Sequence, residues 1–433
     1  MFTIIKNMFK LPDLRKKLFY TIMIILVFRI GSTIPVPFLN FNELHDLAPT
    51  QNNFFSYIDA FTGGAFSRVT IFSMSISPYI TSSIVIQLLT FGIPALERMA
   101  KEGAEGQKKI NKITRYFTVV LALIQSVTFY LLLRGGNTMF RNQIVKYRDG
   151  VSGWVSAVVI VATFTAGSAL VMWLGEKIND KGIGNGISIV LFAGILSRGP
   201  AAFGKIYAMC KAGGKEAIVA ILLVLAFILI TILIIFVTNA ERRVPIQYAQ
   251  RVVGRRMYGG QNTHIPIKLS MAGVMPIIFA SSFLAFFSML KLIFDKDSQT
   301  WFGKGLDHLE HGKVLYSVIY FIMIIGFNYF YVSVQYNPIE IANNLRKNNG
   351  TIPGIRPGAQ TTEYLTKVIS KVTFVGALFL GFVAILPMIM SSFVHMNIAL
   401  GGTTILIVIG VALDTMKQIE SMMMMKHYKG FLE

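Results

Sequence analysis

The chain holds one cysteine, Cys210, in 433 residues. A lone thiol excludes an intrachain disulfide framework and any metal site built from several cysteines. The six histidines are scattered, without HExxH or clustered spacing, so zinc-type hydrolysis has no ligand set. Charge is scarce as well: 14% of residues are charged against 54% hydrophobic, and mean hydropathy is +0.59. That balance belongs to a polytopic membrane protein rather than to soluble domains. The phosphate-binding pattern GxxxxGK[ST] is absent, and GIGNG at 182–186 follows a membrane span instead of a strand, so no nucleotide site is expected. No Ser–His, Ser–Lys, Asp–Asp or His–Glu–His set can be assembled in one cavity, and neither catalysis nor a cofactor is expected.

What the apolar segments lack is equally informative. Gradient-coupled transporters keep ionisable groups at membrane depth to bind the coupling ion. Here Arg29 lies in the first span, Asp414 and Lys417 at the end of the last, and His395 in an outer loop; no span carries a central Asp or Glu. A secondary transporter built as an inverted repeat remains the alternative, and this absence disfavours it.

Hydropathy places ten spans, near 18–36, 75–91, 116–134, 153–174, 184–199, 217–238, 270–291, 314–334, 369–389 and 399–416. The first follows a basic stretch but has no small-residue cleavage site, and reads as a retained span rather than a signal peptide. The segments 97–115, 239–269 and 335–371 are large, basic and on one side, which predicts both termini in the cytoplasm. The net charge of +20 also reaches 135–152 and 198–216 on the opposite side, and topology gives no account of those. An odd number of spans per half predicts an inverted repeat, 1–199 against 200–433. SISPYI around Pro78 and AGVMPII around Pro276 echo each other as proline-interrupted second spans, the pattern that points to a working interface between halves.

One stretch breaks the run of full spans. Residues 54–66 are apolar and aromatic but shorter than the roughly 20 residues a helix needs to cross a bilayer. Gly63, Gly64, Ser67 and Arg68 interrupt it before a proper span begins. Such a half-span must be enclosed in protein, lining or closing a cavity. Around it stand branched aliphatics: Ile76 and Ile80 one helical turn apart, Ile187 and Leu191 likewise, Ile278 just after Pro276, and Ile407 midway along the last span. Each reads as ordinary packing, or, if they converge, as an apolar constriction that excludes water and ions.

Two loops are far longer than a chain reversal requires. Residues 239–269 carry Arg242, Arg243, Arg251, Arg255 and Arg256, and runs such as VPIQYAQRVV predict a projecting hairpin. Residues 337–367 frame Arg356 between Pro353-Gly354 and Pro357-Gly358 in a rigid turn. They serve as a positive-inside signal or, given their length, as a dock for a large anionic partner.

Eight ordered segments resemble the SecY/Sec61-alpha family of protein-conducting channels: GSTIPVP (31–37), FTGGAFSRVTIFSMSISPYITSSIVIQLLT (61–90), KEGAEGQKKINKITRY (101–116), MWLGEKINDKGIGNGISI (172–189), ERRVPIQYAQR (241–251), THIPIKLSMAGVMPIIFASS (263–282), NPIEIANNLRKNNGTIPGIRPG (337–358) and GGTTILIV (401–408). The resemblance implies an all-α polytopic membrane protein of ten helices, two five-helix halves clasping an hourglass channel in a bacterial cytoplasmic membrane. It implies a pore ring of Ile76, Ile80, Ile187, Leu191, Ile278 and Ile407, with Leu191 where the family usually has isoleucine. It further implies a plug helix over about 54–67 containing Tyr57, Ile58, Phe61, Gly63, Gly64 and Phe66. A lateral gate would involve Pro78, Gln87, Pro276 and Ser281. The basic loops would dock the SecA motor or the ribosome, with Arg356 at the motor-coupling position. SecE and SecG subunits, signal-bearing preproteins and membrane lipid are the remaining implied partners.

Overall fold

Proline marks where many of the helices begin, because a first-turn residue needs no amide hydrogen and gains from a fixed φ. In the computed structural model, which describes residues 11–39, 59, 62–134, 145, 150–248, 251–253, 256–258, 262–294, 314–394 and 402–429, α1 starts at proline (Pro12–Gly31). Helix α2 (Ser77–Gly92) holds Pro78 in its first turn, and α3 (Pro94–Lys101) again opens on proline. The long helices α4 (Ala104–Arg134) and α5 (Gly150–Lys181) follow. A short α6 (Gly186–Leu196) leads into α7 (Gly199–Ala212) and then α8 (Gly214–Asn239). The second part contains α9 (Met275–Phe294), with Pro276 as its second residue, then α10 (Val314–Gln335), α11 (Pro338–Lys347), α12 (Ala359–Val394) and α13 (Gly402–Lys429). Pro78 and Pro276 therefore start their helices. They do not interrupt spans, as the sequence suggested, since a proline inside a helix would cost about 3 kcal/mol and one at its entry costs little.

Among the described residues, six helices are long and apolar enough to cross a membrane, or seven if the bent pair α2–α3 counts as one. That pair turns by 100° at Ile93, which is extended because the following Pro94 disfavours the helical region before it. The helices overrun the hydropathic spans: α4 begins at Ala104, where the apolar run starts near 116. The polar AEGQKKINK stretch, 104–112, is the first part of that helix.

The loop 239–269 forms the expected hairpin. Strand β1 (Glu241–Tyr248) pairs antiparallel with β4 (Asn262–Lys268), from Glu241 opposite Lys268 to Gln247 opposite Asn262. The short strands β2 (Arg251–Val253) and β3 (Arg256–Tyr258) pair beyond it. Strand β5 (Gly350–Thr351) joins the other edge of β1, giving the order β4-β1-β5. The two basic loops thus share one sheet. Val244 and Ile246 alternate inward along β1 and pack with Ile267, Leu345, Ile352 and Leu365 in a core of their own, the period of two that a half-buried strand requires.

Glycine permits the closest helix approach. A Cβ on Gly186 would lie 1.8 Å from the Gly175 carbonyl oxygen, so α6 sits directly on the α5 backbone. Gly186→Ala is expected to destabilise by about 1–3 kcal/mol through overpacking. Thermal unfolding of the purified protein measures it, with Gly326→Ala, where nothing lies within 4 Å of the new methyl, as the steric control, expected to gain about 0.5–1 kcal/mol from helix propensity.

Candidate functional site

The six aliphatic residues singled out in the sequence come from four helices and the turn before one of them, and meet in one place. Ile80 lies in α2, Ile187 and Leu191 in α6, Ile278 in α9 and Ile407 in α13, while Ile76 is the residue that precedes α2. Ile76, Ile80, Leu191, Ile278 and Ile407 are buried in a single apolar cluster, and Ile187 packs against it half-buried. Ile407 has 0% of its surface exposed. The cluster is wider than these six, taking in Ile24, Phe28, Phe72, Val171 and Ile178.

Local chemistry explains why α6 begins where it does. Asn185 caps it, its Oδ1 accepting the Ile187 amide at 3.1 Å and the Ser188 amide at 3.4 Å. Asn179 Oδ1 takes the Gly186 amide at 2.7 Å. Within GIGNG the Gly182, Ile183 and Gly186 amides are taken inside the protein, by the Ile178 carbonyl, Thr21 Oγ1 and Asn179 Oδ1. Capping fixes the register that turns Ile187 and Leu191 toward the cluster.

The segment ahead of α2 is enclosed by protein. Tyr57, Ile58 and Phe61 lie outside the described residues. Asp59 and Thr62 take helical geometry, and turns follow from Gly63 onward. Asp59, Thr62, Ala65, Phe66 and Val69 are all buried. The loop ties itself together: Asp59 Oδ1 accepts the Ser67 amide at 2.8 Å, and the Asp59 carbonyl accepts the Gly64 amide at 3.0 Å. Phe66 meets Phe129 of α4 at a 40° tilt, 5.0 Å between ring centres, in a second apolar cluster with Phe164. Gly63 has φ +67°, and a Cβ there would stand 2.4 Å from the Gly194 carbonyl oxygen. The glycine is thus a point of close contact with α6. Residues 34–36 strap the loop's end, with the Val36 amide donating to Val69 at 2.9 Å and Ile71 to Ile34 at 3.0 Å.

Two polar partners escaped the sequence reading. Arg198, at the far end of α6, forms an ion pair through Nη2 with Asp59 Oδ2, and Ser197 Oγ lies 3.2 Å from the Gly63 carbonyl oxygen. The signal was present: Asp59 is an acid in an apolar run, and Arg198 opens the basic segment that topology did not explain.

Helices α2 and α9 pack against one another. Pro78, Pro276 and Ser281 are buried and Gln87 is half-buried on these two helices; Ser281 Oγ donates to the Ile278 carbonyl at 2.9 Å. Phe91 of α2 meets Phe330 of α10 edge-on at 5.1 Å, and Phe279 of α9 meets Phe327 at 6.1 Å. On the sheet, Arg242 and Arg243 are exposed, and Arg243 Nε donates to Glu241 Oε1 at 2.7 Å. Arg251 and Arg256 fall in β2 and β3, and Arg255 is outside the described residues. Arg356 is exposed on a turn held by Thr361 Oγ1, which donates to the Arg356 carbonyl at 2.9 Å, with Gly354 and Gly358 at φ +80° and +108°. No group of three His, Cys, Asp or Glu suited to a metal occurs among the described residues.

Comparison with known proteins follows this geometry. The SecY family model matches residues 70–416. The chain is 43% identical to the protein translocase subunit SecY of Halalkalibacterium halodurans, over 100% of both chains. It is 42% identical to that of Thermotoga maritima, over 99% of this chain and 97% of the relative. In shape it is similar to a solved protein-conducting channel, with TM-score 0.66 and 18% identity over 96% of each chain. A solved SecY whose plug domain stabilises the closed state of the translocation channel and maintains a membrane seal gives the same TM-score of 0.66 at 18% identity and 96% coverage of each chain. Sec61 in a canine ribosome–channel complex gives 0.62 at 18% identity, also over 96% of each.

Proposed function

The chain belongs to the SecY family and is a multi-pass protein translocation channel, and from that premise we propose how its parts divide the work. Ile76, Ile80, Ile187, Leu191, Ile278 and Ile407 form the ring that closes the pore. The observation that carries this reading is their convergence from α2, α6, α9, α13 and the turn before α2 into one buried apolar cluster. An aliphatic constriction excludes ions by dewetting without binding them, and it lets polypeptide of any sequence pass because it offers no specific contact. Residues 54–67 are the plug. Helices α2 and α9 are the two sides of a lateral gate, with Gln87 and Ser281 as its polar positions.

A signal sequence, an apolar helix, enters between α2 and α9 and favours the open state. It shifts the equilibrium only by its differential affinity for open over closed. Sufficiently apolar segments leave sideways into lipid. The chain supplies no fuel site, so energy comes from the SecA motor or the translating ribosome, docked on the β4-β1-β5 sheet, the Arg242–Arg256 hairpin and the Arg356 turn. SecE clamps the halves, SecG is peripheral. Ten spans in two inverted five-helix halves, 1–199 and 200–433, sit in a bacterial cytoplasmic membrane with both termini inside.

Site-specific crosslinking tests the assignment. A photoreactive residue at Ile76, Ile80 or Ile278 is expected to capture a stalled secretory chain. Capture confined to lipid-facing positions such as Leu229 would refute a pore through the ring.

A further inference from the structure

One face of α6 and the turn after it bear three features in register. Ile187 and Leu191 pack in or against the apolar cluster, the Gly194 carbonyl stands where a Cβ on Gly63 would have to go, and Arg198 reaches Asp59. The spacing i, i+4, i+7, i+11 is that of a single helical stripe. It sets Arg198 about 10 Å beyond Leu191 along the axis. The same helix that supplies two of the cluster residues thus also leads into the grip on the loop ahead of α2.

We propose that Arg198 is a positioning residue that sets how strong a signal must be to open this channel, by latching the plug through Asp59. The inference rests on the plug reading of 54–67. Asp59 is 4% exposed at its side chain and Arg198 25%, so the pair is shielded from the screening that makes surface ion pairs weak. The carboxylate divides its oxygens: Oδ1 holds the Ser67 amide inside the loop, and Oδ2 faces the guanidinium of Arg198. The first contact travels with the loop and the second is broken when the loop leaves. Ser197 Oγ, between the Gly63 carbonyl at 3.2 Å and the Gly194 carbonyl at 2.6 Å, trades one acceptor for another on departure, so it discriminates less between the two states. The ion pair is therefore the polar contact that the closed state owns and the open state does not. Its loss lowers the free-energy gap a signal sequence has to bridge.

This accounts for one end of the basic segment 198–216 that topology left unexplained. Arg198 is there for Asp59.

The experiment uses the full translocase in vesicles, reading ion leak and export of a substrate with a shortened signal. Asp59→Asn keeps an Oδ1 acceptor for Ser67 and removes the charge; Arg198→Gln removes the other partner. Each is expected to raise weak-signal export about tenfold, with the double variant no more than either single, as coupled partners require. The exchanged pair, Asp59→Arg with Arg198→Asp, is expected to restore stringency at least in part, which a role in helix packing alone would not do. Singles at wild-type stringency, or effects that simply add, overturn the latch. A second arm separates this from the plug reading. In a Cys210→Ser background, Asp59→Cys and Arg198→Cys are joined by a bismaleimide. Blocked export shows that the loop must move, whatever the fate of the ion pair. Normal export of the crosslinked protein would overturn the plug and the latch together.

Discussion

Ile407→Asn is expected to make the resting channel leak ions and to let substrates with defective signals through. Ile407 is fully buried among the cluster residues. In the closed state the new amide would have apolar neighbours on every side, and leaving such a group unsatisfied costs about 1–3 kcal/mol. In the open state the same amide meets water or the passing backbone, and the cost vanishes. A differential of ~2 kcal/mol raises the open population roughly thirtyfold. Ile407→Val removes one methylene and introduces nothing polar, so it costs about 0.5–1.5 kcal/mol and leaves the constriction dry. Asparagine should therefore leak where valine does not. Ile278→Asn, from α9 in the same cluster, should behave alike. Halide efflux from vesicles and export of a signal-defective substrate measure both. If asparagine at either position changed neither readout, the cluster would be helix packing and the constriction would lie elsewhere.

The apolar cluster was legible as a set of candidates and not as a cluster. Ile76 and Ile80 look like any helical pair until tertiary structure brings α6, α9 and α13 against them, and no local pattern encodes that. The β1–β4 hairpin was legible because Val244 and Ile246 alternate with Arg243, Pro245 and Gln247. Strand β5 was not: Gly350–Thr351 is two residues long and acquires its strand character only from β1. The prolines were found in the right places with the wrong role, since hydropathy extends an apolar run upstream of Pro78 whether or not the backbone there is helical. Residues 71–76 are turns, with Val69 just before them and Ser75 among them at positive φ, and their apolar content goes with enclosure by α1, α4 and α5 rather than with a span. The Asp59–Arg198 pair joins residues far apart in the chain. A charge in an apolar segment announced that a partner existed without saying which.

Arg356→Glu is expected to abolish motor coupling while leaving the pore alone. The side chain is exposed, and the turn beneath it is held by main-chain geometry: Thr361 Oγ1 on the Arg356 carbonyl and glycines at positive φ on both sides. Nothing in that scaffold needs the guanidinium, so reversal should change folding stability by no more than about 0.5 kcal/mol. A partner's carboxylate or phosphate loses a charge-assisted hydrogen bond worth about 1.5–3 kcal/mol and meets a like charge. Together these predict a loss of stimulated ATP hydrolysis of more than about tenfold, with Arg356→Lys intermediate because an ammonium keeps the charge without the planar fork. Combining the change with Ile407→Asn separates drive from gate. Leak should match that of Ile407→Asn alone, since the two sites share no neighbours and distant effects add, while motor-driven export should still fail. Normal stimulation of Arg356→Glu would return the arginine to a topology signal. Loss of both leak and coupling in the double variant would mean that the turn and the ring are one cooperative unit.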